Sequence, residues 1–163
     1  RLVYMPESTR RRVDPHYAHG EEITSFSDGF PLLMIGQASL DDLNSRLPQP
    51  LSMERFRPNI VFTGGSPFQE DEMAEFSIAG IRFYAVKPCA RCVITTIDPL
   101  SGEKGKEPLR TLSTYRRHNN KLYFGQNLLF DMPTKVHHIS LGHVITPLQK
   151  QPPAIAGRGN KPG

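Results

Sequence analysis

Short apolar runs set off by glycine and proline turns decide what this chain can fold into. Leu32–Ile35, Ile60–Phe62, Phe76–Ile78, Ile81–Val86 and Lys121–Phe130 are rich in β-branched and aromatic residues, and each is bounded by turn residues. Ala79-Gly80 joins the third and fourth runs as a hairpin. Two further strands are expected, at Arg1–Met5 and across Ile139-Ser140-Leu141-Gly142. Helical periodicity is confined to two short stretches. In one, Ser39 is the N-cap, Asp41 and Asp42 suit the positive end of the dipole, and Leu40, Leu43 and Leu47 share a face before Pro48. In the other, Pro108 is the first helical residue and Leu109, Leu112 and Tyr115 share a face. Many strands and two short helices predict a mostly β (α+β) fold, a barrel or curled sheet.

At 163 residues the chain is one domain, expected over residues 1–148, with a Pro/Gly-rich, basic tail at 149–163 expected to be disordered. The formal charge of +4 suggests anionic partners, but much of it sits in Arg10-Arg11-Arg12 and the tail. Those three arginines read as a solvated loop rather than a phosphate clamp. No element interleaves basic residues with exposed aromatics and tryptophan is absent, so no nucleic-acid partner is expected. No apolar run approaches membrane-spanning length, and Arg1–Met5 does not look like a signal peptide. With the cysteine usage, this predicts a reducing, cytoplasmic setting without a membrane partner. The acidic stretch Glu70–Glu75 reads as solvated.

Both cysteines lie in Pro88-Cys89-Ala90-Arg91-Cys92, followed by Val93–Ile97, which reads as a strand. A four-cysteine zinc site needs a second pair, which is absent. A redox CxxC opens a helix after a strand, and the β-branched residues here oppose that. A single working thiolate is the third possibility, with Arg91 beside Cys92 favouring the anion. Two buried, inert cysteines are the fourth, and spacing does not choose between the last two. Arg55, Arg57 and Asn59, at the entrance of a strand, can donate to an anionic ligand or cap loop carbonyls. His137, His138 and His143 surround the expected last strand, where adjacent residues face opposite ways, which disfavours a shared metal.

Four segments taken together resemble one family: Phe26-Ser27-Asp28-Gly29-Phe30-Pro31, Ala38–Asn44, Phe56-Arg57-Pro58-Asn59-Ile60-Val61 and Cys89-Ala90-Arg91-Cys92 through Pro99. Phe124-Gly125-Gln126-Asn127-Leu128 is a weaker fifth. They are similar to the MOSC domain, named for the C-terminal domain of molybdenum-cofactor sulfurases, and most of all to its amidoxime-reducing branch. The resemblance implies a β-barrel-centred fold holding the pterin-based molybdenum cofactor (molybdopterin), with Cys92 as catalytic residue and metal ligand. A soft thiolate suits such a metal. It further implies cofactor contacts at Asp28, Gly29, Arg57, Asn59, Ala90 and Arg91, with Cys89 as packing. Ala90 stands where animal members have serine, so only its backbone can serve there.

The implied activity is molybdenum-dependent reduction of N-hydroxylated small molecules. Electrons would come from an iron–sulfur or flavin protein, or from a fused ferredoxin domain, because two cysteines cannot hold an iron–sulfur cluster in this chain. A sulfur-carrier or cofactor-delivery module using a Cys92 persulfide is the alternative, followed by a cofactor-free interaction domain. Members of the family also carry a segment ahead of the point matching Arg1. The chain is therefore expected to be a piece of a longer protein, or a reduced member, with an unpaired sheet edge and a pocket open on one side.

Overall fold

A computed structural model describes residues 2–131, 138–153 and 155. The strands are β1 (Leu32–Gly36), β2 (Ile60–Phe62), β3 (Met73–Ile78), β4 (Ile81–Ala90), β5 (Arg117–His118), β6 (Lys121–Phe130) and β7 (Ile145–Lys150). The helices are α1 (Gln37–Asn44) and α2 (Leu109–Tyr115), with 3-10 helices at Met53–Phe56, Gln69–Glu72 and Val93–Thr96. One sheet runs β2-β1-β6-β4-β3-β7, and β5 pairs with β6 off that path. Only β1 and β2 pair in parallel; the other neighbours are antiparallel. The path curls, since residues of its two end strands, β2 and β7, line one cleft of about 650 Å³. The fold is thus β-dominated, with a half-barrel sheet and, among the described residues, two α-helices.

Apolar clusters lie on both faces of the middle of the sheet, and the alternation along β1 shows how. Met34 joins one apolar cluster with Phe76, Phe83 and Leu128, whereas Ile35 joins another with Leu40, Leu43, Phe56, Leu112 and Phe124. Phe124 and Leu128 are an even number of residues apart on β6, yet they belong to opposite clusters. Gly125 resolves this. Its φ of +84° marks the extra residue where the β4–β6 register shifts between Pro88 and Ala90, and one extra residue swaps the faces. A Cβ at Gly125 would lie 2.8 Å from the Met34 carbonyl oxygen and 2.7 Å from Ile35 Cγ1. Gly125→Ala is therefore expected to cost roughly 1–3 kcal/mol, read as a lower urea midpoint with unchanged slope.

Several sequence expectations are corrected. Leu2–Met5 is not a strand: Leu2, Val3 and Tyr4 are exposed and pair with no strand among the described residues. The first helix starts at Gln37 with Gly36 as N-cap. Ser39 lies buried inside it, its hydroxyl donating to Glu70 Oε2 at 2.8 Å and accepting the Phe68 N–H at 2.7 Å. Ile139–Gly142 is not the last strand; a turn occupies Leu141-Gly142, closed by the Ser140 N–H donating to His143 Nδ1 at 3.1 Å, and β7 follows. His137 lies outside the described residues. Glu70 and Asp71 are not solvated but fully buried. Of the tail, the Gln151 amide donates to the Asp71 carbonyl at 3.3 Å, and residues 154 and 156–163 lie outside the described residues.

Among the described residues, the three arginines share no common partner. Arg12 pairs with Glu21 at the surface, 2.9 Å away. The Arg11 guanidinium donates to the carbonyls of Ser25 (2.9 Å), Ser27 (2.5 Å) and Asp28, gathering the turn before β1.

Candidate active site around Cys92

β4 is the element that delivers the cysteine. It is paired with β3 as far as Tyr84 and with β6 on to its end at Ala90, where the pairing with Tyr123 is the last. The chain then turns, and it does not continue as the strand that its β-branched residues suggest. The Cys92 carbonyl accepts both the Thr95 N–H (3.2 Å) and the Thr95 hydroxyl (2.9 Å), and the Thr96 hydroxyl donates to the Val93 carbonyl at 2.7 Å. Such local bonds compete with a sheet ladder, and here they close Val93–Thr96 into a 3-10 helix. Thr95 and Thr96 are buried, while Cys92, Val93 and Ile94 face out. A thiol at the tip of a firmly held strand is left open to a ligand.

Arg91 is fixed inward. Its backbone N–H donates to the Leu122 carbonyl at 2.7 Å, and its Nη2 donates to the Phe56 carbonyl at 2.7 Å. Its Nη1 donates to Cys89 Sγ at 3.1 Å, so Cys89 does more than pack: its sulfur is an acceptor that orients the guanidinium. The guanidinium carbon lies 5.5 Å from the centre of the Phe56 ring. Arg91 Nε is buried and has no partner among the described residues, a donor left over for a polar group at this junction.

Arg57 follows Phe56 directly and is exposed, in a left-handed conformation with φ of 55° that ends the 3-10 helix Met53–Phe56. Arg57, Ala90, Arg91 and Cys92 are thereby brought to one junction. Asn59 is committed in part: its Oδ1 accepts the Leu33 N–H and its own N–H donates to the Leu33 carbonyl, both at 2.9 Å, suturing the start of β2 to β1. Its side-chain amide N–H groups remain for a ligand. Asp28 and Gly29 stand apart. The next residue, Phe30, flanks Lys87, whose ammonium is 5.7 Å from that ring and 4.4 Å from the ring of Tyr17. Lys87 precedes Cys92 by five residues, on the order of 15 Å along an extended chain.

Asp98 accepts from Arg55 Nη2 at 2.8 Å, across 43 residues of sequence. Arg55 is a candidate donor from the sequence alone, whereas Asp98 is not, and nothing in the spacing pairs them.

The comparisons with known proteins bear on this site. Residues 21–146 match the MOSC domain family. The chain belongs to that family. This MOSC domain is 41% identical over 145 residues to mitochondrial amidoxime-reducing component 1 of Homo sapiens, covering 82% of this chain and 43% of the relative. It is 46% identical over 115 residues to mitochondrial amidoxime reducing component 2 of Rattus norvegicus, covering 69% of this chain and 34% of the relative. Against component 1 of Danio rerio it is 39% identical over 121 residues, or 71% of this chain and 37% of the relative. The MOSC domain chain thus spans less than half the length of these curated relatives. Their names correct the cytoplasmic setting expected from the sequence, because each relative is a mitochondrial protein.

Proposed function

We propose that this MOSC domain holds a molybdenum cofactor through Cys92 and serves in the reduction of N-hydroxylated compounds, in a mitochondrial setting. The observation that carries the reading is the exposed Cys92 just past the end of β4, on a turn tied to the second arginine motif by the Arg91 bond to the Phe56 carbonyl. The donor set fits the group. A thiolate is a soft ligand of the kind molybdenum takes, and guanidinium groups suit the phosphate and polar pterin edge of such a cofactor. Arg57 is exposed and follows Phe56, whose carbonyl Arg91 binds, and Arg91 Nε is a buried donor without a partner among the described residues. Asn59 would contribute its amide N–H groups, Ala90 its backbone, and Asp28 and Gly29 a more distant loop.

When bound, the group supplies a two-electron redox centre able to take oxygen from an N–O bond. This chain's part is to hold the ligand sulfur and orient the anionic tail. The relatives named for amidoxime reduction support N-hydroxylated substrates as the class. Reduction of such a substrate takes two electrons and two protons and releases water, so an iron–sulfur or flavin protein would have to deliver the electrons.

A sulfur-carrier role remains as a second reading because the same exposed thiol could hold a persulfide. One experiment tests both. Cys92→Ser is expected to abolish molybdenum retention, while Cys89→Ser keeps it, since a serine oxygen can still accept from Arg91 Nη1. Elemental analysis of purified protein gives the metal content, and intact mass reveals any added sulfur. Equal molybdenum in the wild type and the Cys92 variant would sink the ligand assignment, and one extra sulfur without molybdenum would favour the carrier.

A further inference from the structure

The turn that carries Cys92 is suspended between two consecutive residues of the 3-10 helix Met53–Phe56. At its near end, Arg91 donates to the Phe56 carbonyl at 2.7 Å. At its far end, Asp98 pairs with the Arg55 guanidinium at 2.8 Å. Asp98 is itself tightly placed. Its Oδ1 accepts the N–H groups of Leu100 and Ser101, both at 2.9 Å, and its backbone N–H donates to the Glu103 carbonyl at 2.8 Å. Its Oδ2 reaches Arg55, whose side chain is only 11% exposed. Between the two anchors only Thr95 and Thr96 are buried; the apolar residues Val93, Ile94 and Ile97 are exposed and contribute little packing to hold the turn down.

We propose that Arg55 is a positioning residue for Cys92, acting through Asp98. The carboxylate works in both directions: one oxygen shapes the turn that follows, and the other tethers that turn to the helix before β2. With the tether in place, the backbone from Arg91 to Asp98 is fixed at both ends and the thiol has one location relative to Arg57 and Arg91. Without it, the near anchor and the buried Thr95 and Thr96 remain, and the part of the turn from Ile97 onward loses its tie to the helix before β2. The consequence for metal binding rests on the function proposed above; the tether itself does not.

The test is hydrogen exchange of the full chain, followed by mass spectrometry of peptides, for the wild type and for Arg55→Met, Arg55→Lys and Asp98→Asn. The amide N–H groups of Thr95, Ile97 and Gly105 are bonded to carbonyls within this segment and report on its closure. In Arg55→Met, exchange across residues 92–105 is expected to rise at least about tenfold, the effect of losing a charge-assisted hydrogen bond. Exchange in β4 and β6 should be unchanged, and Arg55→Lys should recover much of the protection. Asp98→Asn should give a smaller rise in the same segment, because an amide oxygen can still cap the following turn. Molybdenum content is measured on the same samples and should fall with rising exchange.

Unchanged exchange in 92–105 in both Arg55→Met and Asp98→Asn would overturn the proposal. So would a rise spread equally over β4 and β6, which would make Arg55 a general stabiliser. A rise confined to the turn, with molybdenum held at the wild-type level, would overturn its positioning role. Absence of molybdenum from the wild type would count against the proposed function alone, and the exchange pattern would still decide the tether.

Discussion

Asp71→Ala is expected to destabilise the protein by about 3–5 kcal/mol, the usual loss when one member of a buried ion pair is removed. Domains of this kind have about 5–15 kcal/mol in total. Asp71 and Arg116 are 1% and 2% exposed, with Nη2 and Oδ2 2.5 Å apart. Gln126 Nε2 donates to the other carboxylate oxygen at 2.8 Å, and Arg116 Nε donates to the Tyr123 carbonyl at 3.2 Å. The guanidinium lies 4.1 Å from the centre of the Phe68 ring. Removing the carboxylate leaves that cation in an apolar interior with one carbonyl for company. Arg116→Met should be nearly as harmful alone, and the double variant Asp71→Leu with Arg116→Met should recover a large part of the loss. Urea unfolding of the four proteins decides it. A single-variant loss below about 1 kcal/mol would mean that water reaches the site.

The second large effect is a dependence of stability on pH through Glu70. Burial pushes its carboxyl up from the ordinary 4.5 to about 7, with the neighbouring Asp71 adding to the rise and the Ser39 hydroxyl opposing it. Glu70 Oε1 is buried without a partner among the described residues, and Gly36 and the Phe62 ring wall the group in. A raised carboxyl binds its proton more tightly in the folded state. Stability on this account is therefore full below pH 4.5, falls as pH rises towards 7, and is lower by about 3 kcal/mol above it. Glu70→Gln cannot ionise, so this fall should vanish from its pH profile, whatever fixed offset the amide introduces. Urea midpoints of both proteins at pH 5, 6.5 and 8 check the prediction. Parallel profiles for the two proteins would show that Glu70 does not titrate in this range.

These two acids also show where sequence reasoning stopped. Glu70–Glu75 reads as a solvated run because four acidic residues in six have no apolar period. What buries the first two is supplied from elsewhere: Ser39 from α1, Arg116 after α2 and Gln126 from β6. None of these is local, so no window of sequence contains the reason. The strands were legible because periodicity and turn residues are local properties: β1, β2 and β6 lie where the sequence puts them, while β3 starts three residues earlier, inside the acidic stretch, and β4 runs on to Ala90. Val93–Thr96 failed for a local reason of another kind: propensity favours a strand, but two threonine hydroxyls bond to carbonyls three residues back. The junction of the two arginine motifs at Cys92 was legible only through the family resemblance. The pairing of Arg55 with Asp98 was not legible at all.

The cleft shared by β2 and β7 has a consequence for how this chain behaves in a crowd of its own copies. A sheet with two outward edges offers two templates for stacking, and proteins usually blunt such edges with charge, proline or bulges. Here Pro147 interrupts β7, and the β3–β7 register shifts between Met73 and Phe76. More than that, the curl turns both edge strands towards one narrow space, lined by Ile60, Val61, Leu141 and Val144 among others. The curl thus acts with Pro147 and the register shift to blunt both edges against stacking.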